Sequence, residues 1–392
     1  MMRNTLILIF AISLTILSCS RDEFQDGDAF VTIFEDKLST SKYEPLGLHV
    51  SNDGGIVWAS KDLWTPSVFW FDSLGKPQAS WSGLSNMVAP VQGVFSLNGR
   101  VFSLCMDPVS LATLVVEFVA PGEVSEVARF AQFIYPLAVA PISENRFIML
   151  SFNRFERRSV VSVFSADFVL LGSRSFNNIQ EIDEILLDHL QFRKRYPLFL
   201  GETDEGYFYV NTFMNYTLST LLLRPDLTLS SVFQGTQYKG GLSGLLSLGS
   251  GTYVMSRFMQ DQSFYHPSLA LPGDGVYVAE DLGGEHMLDW KPEYPVIFKK
   301  ITLANRNFVI RLVTNRNGQV VLQVNQLAQQ FKMTGIRIFG GTENMRAVDL
   351  NIDKKGGLTL LCKFQVAGSF SRCGIIRISP KEMLQLCEIE QE

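Results

Sequence analysis

The feature that most constrains this chain is a punctuation that returns seven times. Turn-forming clusters stand at NDGG (52–55), LNGR (97–100), SENR (143–146), TDEG (203–206), LGSG (248–251), ANRN (304–307) and KKGG (354–357). Each leads into a short run of apolar, β-branched or aromatic residues: IVWAS, VFSLC, FIMLS, YFYVN, TYVMS, FVIRL and LTLLC. A second cluster follows each of these: DSLGK, APGE, SADF, RPDL, EDLGGE, NQLAQ and SPKE. Strand-like runs such as SVFWF, SVVSVF, LSTLLL, GVYVAE and CGIIRI flank the second set. Such runs between Gly, Asn, Asp and Pro clusters read as β-strands joined by turns.

The repeating unit is therefore strand, turn, strand, loop, strand, turn, strand, recurring about every 45 residues, the period of a propeller blade. The expected fold is all-β: a seven-bladed β-propeller of four-stranded antiparallel blades within residues 30–392, with a short helical insertion between blades 3 and 4. One blade cannot bury both faces; stacking seven around a channel does so and shelters the sheet edges. Thirty phenylalanines suit the flat packing of sheet on sheet. The outer hairpin SVFWFDSLGK resembles the broad class of propellers with a VxVFDxxG hairpin, a resemblance that implies architecture and no particular activity. FVTIF (30–34) is left over before the first unit and competes with MLQLCEI (383–389) for the outer-strand place that latches the ring.

Two units are stretched. In NNIQEIDEILLDHLQFRKR (177–195), Ile179, Ile182, Ile185, Leu186 and Leu190 recur at helical spacing, with Asn177 or Asn178 as cap, which predicts a short amphipathic helix. MQDQSFYHPSLALPGDG (259–275) reads as a loop between second and third strands. Strand direction alternates within a blade, so second-to-third-strand turns and blade-to-blade connections emerge on one face. Both insertions should crowd that rim, together with KDLWTPS (61–67), NRFERRS (153–159) and MNYT (214–217). Trp64, Arg154, Arg157, Arg158, Arg193, Lys194, Arg195, Tyr216, Tyr265 and His266 are the ligand-binding candidates. Aromatic rings stack on sugar or peptide faces, and guanidinium forks take carboxylates. An envelope protein, a peptide or an anionic glycan would suit that mixture, and solvated loop charges would produce the same pattern.

The first thirty residues point to location. Arg3 precedes the apolar run TLILIFAISLTIL (5–17), too short to cross a bilayer and of the length of a secretory leader. Ile16-Leu17-Ser18-Cys19 resembles a bacterial lipoprotein signal, which implies cleavage before Cys19, lipidation of that residue and attachment to a membrane. Residues 1–18 are then the signal peptide and 19–29 an acidic flexible tether, SRDEFQDGD, too polar to fold alone. Acidic residues just after such a cysteine are similar to those directing lipoproteins to the surface of some Gram-negative bacteria. The expected location is the outer membrane, surface-exposed or periplasmic.

A net charge of −5 offers nothing to nucleic acid. Cys105, Cys362, Cys373 and Cys387 remain after Cys19; a Cys362–Cys373 disulfide is permitted in an oxidising compartment, and buried free thiols are the equal alternative. The four histidines fall in different units without ligand spacing, so no metal or other cofactor is expected. SNDGGIVW (51–58) fits the Asp-box turn of sialidase-like propellers, but no Phe/Tyr-Arg-Ile-Pro motif accompanies it. No nucleophile elbow or phosphate loop appears. The leading expectation is a non-catalytic, lipid-anchored binding module acting through its loop-rich rim. The alternative is a hydrolase or lyase acting on carbohydrate or lactone at the central channel.

Overall fold

The computed structural model describes residues 29–389 apart from 35–39, 144, 180, 238, 272, 293, 330, 342–343 and 367–369. The leader, Cys19 and nearly all of the tether therefore lie outside the described residues. Among the described residues no helix is long and apolar enough to cross a membrane.

Seven antiparallel sheets follow one another around a ring. Strand β1 (Phe30–Phe34) belongs to the last of them. Blade 1 is β2 (Tyr43–Ser51), β3 (Gly54–Lys61), β4 (Thr65–Asp72) and β5 (Pro77–Ser82). Blade 2 is β6 (Phe95–Leu97), β7 (Arg100–Met106), β8 (Ala112–Ala120) and β9 (Glu123–Ile134). Blade 3 is β10 (Pro136–Ile142), β11 (Arg146–Asn153), β12 (Arg158–Phe164) and β13 (Leu170–Asn177), after which helix α1 (Asp183–Leu190) leads to blade 4. Blade 4 is β14 (Leu200–Glu202), β15 (Phe208–Met214), β16 (Thr217–Leu223) and β17 (Leu229–Gln234). Blade 5 is β18 (Gly240–Gly249), β19 (Thr252–Met259), β20 (Gln262–Ala270) and the short β22 (Glu285–His286); the intervening β21 (Gly275–Val278) runs parallel along the outer edge of β17. Blade 6 is β23 (Ile297–Leu303), β24 (Arg306–Thr314), β25 (Val320–Gln326) and β26 (Lys332–Phe339). Blade 7 is β27 (Asn344–Ile352), β28 (Leu358–Val366) and β29 (Phe370–Ile378), completed by β1.

Each first-set turn cluster joins the first two strands of a blade, as expected. The ring is closed by β1, antiparallel to β29 in the register Phe30↔Arg377 through Phe34↔Cys373. MLQLCEI does not supply the outer strand. It falls largely in helix α2 (Pro380–Leu386), whose start is a capping box: Ser379 accepts from the Glu382 backbone N–H and Glu382 reaches back to the Ser379 N–H. Pro380 at the first helical position removes a strand donor and fits a helix start. The helix packs on β26, where Gly335 is required: a Cβ there would run into the carbonyl oxygen of Leu386.

The expected 259–275 loop is a second correction. Only residues 260 and 261 turn, and 262–270 is the third strand β20, while GVYV became the edge strand β21. The true insertion, residues 271–296, follows the third strand and covers the exposed edge of β17 with β21, blunting a pairing edge. Arg224 and Ser230 fasten it by contacts to Asp274.

Interblade cores are apolar and rich in stacked rings. Between blades 2 and 3, Phe95 stacks on Phe147 (4.7 Å), Phe147 on Phe164 (5.0 Å) and Phe130 on Phe164 (4.4 Å). At the closure, Phe34 of β1 stacks on Phe69 of blade 1 (5.2 Å). Cys362 and Cys373 are free and buried, not bridged. Cys362 stands opposite Gly374, so Cys373, one residue away, points to the other face of the blade. One thiol joins the core toward blade 6 and the other the core toward blade 1.

Candidate binding face and channel mouth

One face of the ring gathers the second-to-third-strand turns and the connections between blades. It carries residues 178–199, with α1, and 287–296, which enters blade 6. Helix α1 buries Leu186, His189 and Leu190 against the blade 3–4 core, with Ile182 just ahead of them. Ile179 points to solvent and Ile182, not Asn177 or Asn178, occupies the cap position without a side-chain cap bond. His189 is buried, and its Nδ1 accepts the backbone N–H of Tyr196 at 3.2 Å. Burial, reinforced by the nearby Arg195 charge, holds its pKa well below the usual histidine value.

The expected rim arginines are on this face, and most meet carboxylates. Arg154 pairs with Asp183 (3.0 Å), Arg157 with Glu181 (2.6 Å), Arg158 with Glu156 (3.4 Å) and Arg193 with Asp188 (3.8 Å). Three of these four pairs fasten turn or tail residues to the helical insert, so these guanidinium groups hold the insert in place. Exposed pairs of this kind are screened by water and add little to stability. Trp64 is half-buried against the same core as α1, and Tyr216 is exposed on the β15–β16 turn.

Tyr265 and His266 are not on a loop at all. Both are strand residues of β20. The Tyr265 ring is buried between blades, near Trp290 (5.9 Å) and Phe298 (6.3 Å), with the Arg311 guanidinium 3.9 Å from its centroid. His266 Nδ1 accepts the Ser268 N–H at 3.3 Å. Strand burial thus removes Tyr265 from the rim.

Arg195 behaves differently from its neighbours. It reaches the side-chain oxygen of Gln92, a neutral acceptor, and stacks on Phe192 at 4.9 Å. Around it, from blades 7 and 1, stand Arg346, Lys363 and Glu44. Glu44 accepts from Arg346 and from Lys363 Nζ (2.6 Å) and is nearly inaccessible at 7% exposure. Burial pushes its carboxyl up, but the charges of Arg346, Lys363 and Arg195 together outweigh burial and hold it at about 2. Burial also lowers the Arg195 guanidinium to about 10, with Glu44 opposing and Arg346 adding to the fall. Beside this group, Lys291 and Arg346 flank the Tyr294 ring at 4.8 and 5.7 Å in a pocket of about 100 Å³. Sequence reasoning found Arg195 and missed Glu44, Gln92, Arg346 and Lys363, because nothing local marks a residue that meets its partners only when the ring closes.

The central channel continues from this layer. A cavity of about 230 Å³ is lined from all seven blades or their lead-ins, with Leu46, Gln92, Val139, Leu198, Leu245 and Val296 among its walls. Glu44 lies two residues before Leu46 and Arg346 two before Val348, so the charged layer sits about 7 Å along the strands from the cavity. Farther in, Asp349 accepts the backbone N–H of Leu48 (3.0 Å) and of Leu350 (2.8 Å). Among the described residues no three His, Cys, Asp or Glu side chains converge as a metal-binding group.

The SNDG turn, at the other face, is the β2–β3 hairpin, where Ser51 Oγ donates to the Gly54 carbonyl (3.2 Å).

No family model matches the chain, and no curated protein matches it in sequence. Solved structures with a similar backbone include virginiamycin B lyase from Staphylococcus aureus, at 10% identity and a TM-score of 0.48, covering 90% of this chain and 100% of that one. The WD40 domain of Toxoplasma gondii coronin is similar at 8% identity and a TM-score of 0.48, covering 90% and 87%. The propeller domain of the Trilobed protease from Pyrococcus furiosus is similar at 6% identity and a TM-score of 0.46, covering 89% and 99%. The seven-bladed architecture rests on the sheet topology itself.

Proposed function

We propose that this protein is a lipid-anchored module of the bacterial cell envelope that binds a ligand or partner through the face bearing α1 and the channel mouth. The observation that carries the reading is the gathering on that face of the long connections 178–199 and 287–296, with cations and aromatic rings around the open end of the channel. Rigid sheets hold these segments in place, which is how loops on a scaffold come to recognise a partner. The anchor reading rests on Ile16-Leu17-Ser18-Cys19 and the acidic stretch after it.

A channel-centred hydrolase or lyase has less support. Among the described residues, the channel and its mouth offer two carboxylates: Glu44 is locked in ion pairs, which leaves Asp349, its pKa raised by burial and its oxygens bonded to two backbone N–H groups, without a second free carboxyl. Catalytic acid–base pairs need a carboxyl free to move a proton near neutrality.

The test is affinity capture from intact cells with the full-length chain, followed by cell fractionation. Wild type should sediment with membranes and capture a partner, and Cys19→Ala should release the chain from the membrane. Charge reversal on the helix-bearing face (Arg193→Glu with Lys291→Glu) should abolish capture. Membrane association unchanged in Cys19→Ala would sink the anchor. Capture unaffected by the reversal would sink the face assignment.

A further inference from the structure

Three cations around one carboxylate, at the mouth of the channel cavity, leave positive charge that the described ion pairs do not match. Arg346 and Lys363 share Glu44, and among the described residues Arg195 bonds to the Gln92 amide oxygen, a neutral acceptor. Arg346 and Lys363 are themselves mostly shielded, at 16% and 25% exposure. Shielded like charges repel more strongly than solvated ones, because less water screens them. An arrangement of this kind is stabilised by an added anion. The guanidinium fork of Arg195 suits the two oxygens of a carboxylate, which Gln92 with its single carbonyl cannot supply.

The geometry points to the channel mouth as a binding site for a small monocarboxylate with an apolar body, the carboxylate lying among Arg195, Arg346 and Lys363 and the body entering the channel. Gln92 belongs to both layers: it lines the cavity and holds Arg195. Below it, the partly exposed Leu200, Ile297, Phe298 and Val348 put apolar carbons on the cavity wall, against which methylene or ring carbons of a ligand would be buried. Asp349 lines the same cavity with a carboxyl that accepts two backbone N–H groups and is raised by burial, so a second acidic group on the ligand would face another acid. This assignment rests on the binding-module reading and gives its ligand class.

Ligand-observed NMR and titration calorimetry on the full chain, extracted from membranes in a non-ionic detergent, decide it. The probes are phenylacetate and hexanoate, with phenylacetamide as the neutral isostere and acetate as the body-less anion. Phenylacetate should bind saturably, weaken as salt rises, and bind at least about tenfold more tightly than phenylacetamide, a difference of about 1.4 kcal/mol. Arg195→Gln and Arg346→Gln should each weaken phenylacetate by about tenfold with an unchanged circular dichroism spectrum. Acetate, which lacks the apolar body, should bind more weakly than hexanoate and phenylacetate. If an arginine variant does not fold, the acid-to-amide ratio and the salt dependence of the wild type carry the test. Equal affinity for acid and amide, or no saturable binding by either acid, overturns the proposal. Cell-envelope partner capture that persists without anion binding would keep the module reading and remove only this ligand assignment.

Discussion

Replacing Glu44 by Gln tests the electrostatics of the channel mouth most directly. The substitution keeps the shape and removes the one carboxylate that Arg346 and Lys363 share. The carboxyl is held at about 2, against an ordinary 4.5. At 1.36 kcal/mol per pH unit that depression contributes about 3 kcal/mol of stability. Removing one partner of a buried pair costs about 3–5 kcal/mol, in agreement. The sign follows from the direction of the shift: a depressed carboxyl stabilises the fold above its unfolded value and loses that contribution as pH falls from about 4.5 toward 2. Urea unfolding followed by circular dichroism at neutral pH should therefore show Glu44→Gln destabilised by about 3 kcal/mol, and a series of acid titrations should show its stability falling less steeply in that window. Because the variant leaves three cations facing no carboxylate, added phenylacetate should recover part of the loss through mass action. A loss below about 1 kcal/mol, together with an acid slope equal to that of the wild type, would refute the reasoning.

Four further outcomes are expected. Phe34→Ala, which empties the stack on Phe69 at the ring closure, should cost about 3–5 kcal/mol and expose the blade 7–blade 1 seam to limited proteolysis. Gly335→Leu places a side chain against the Leu386 carbonyl and should cost about 1–3 kcal/mol, with faster amide exchange in α2. Cys105, Cys362, Cys373 and Cys387 are buried thiols, with burial pushing the Cys387 pKa up to about 12; all four should resist alkylation until urea is added, and intact mass should show no disulfide. His189, depressed by burial, stabilises the fold above about pH 6.5 and loses that contribution as pH falls below it; His189→Gln should flatten the stability profile there, and an unchanged profile would contradict the assignment.

The residues themselves determined the architecture. NDGG, LNGR, KKGG and their counterparts mark hairpins because turn chemistry is local, and runs such as FIMLS and LTLLC mark strands because side chains alternate over two residues. Those signals act within a few positions, so seven units were legible without coordinates, as was the helix within 177–195. What lies between distant positions was not. Whether FVTIF or MLQLCEI closes the ring depends on which outer edge is free in space, and Pro380 with its capping box had already committed the latter to a helix. QSFYHPSLA became a strand, despite its proline and polar residues, because β19 offered it a partner edge. Cys362 and Cys373 are close in sequence and separated by the thickness of a sheet. Glu44, Arg346 and Lys363 meet because the ring brings its last blade beside its first, and Arg195 reaches them from the connection between blades 3 and 4, so the charge balance at the channel mouth is a property of the assembled ring.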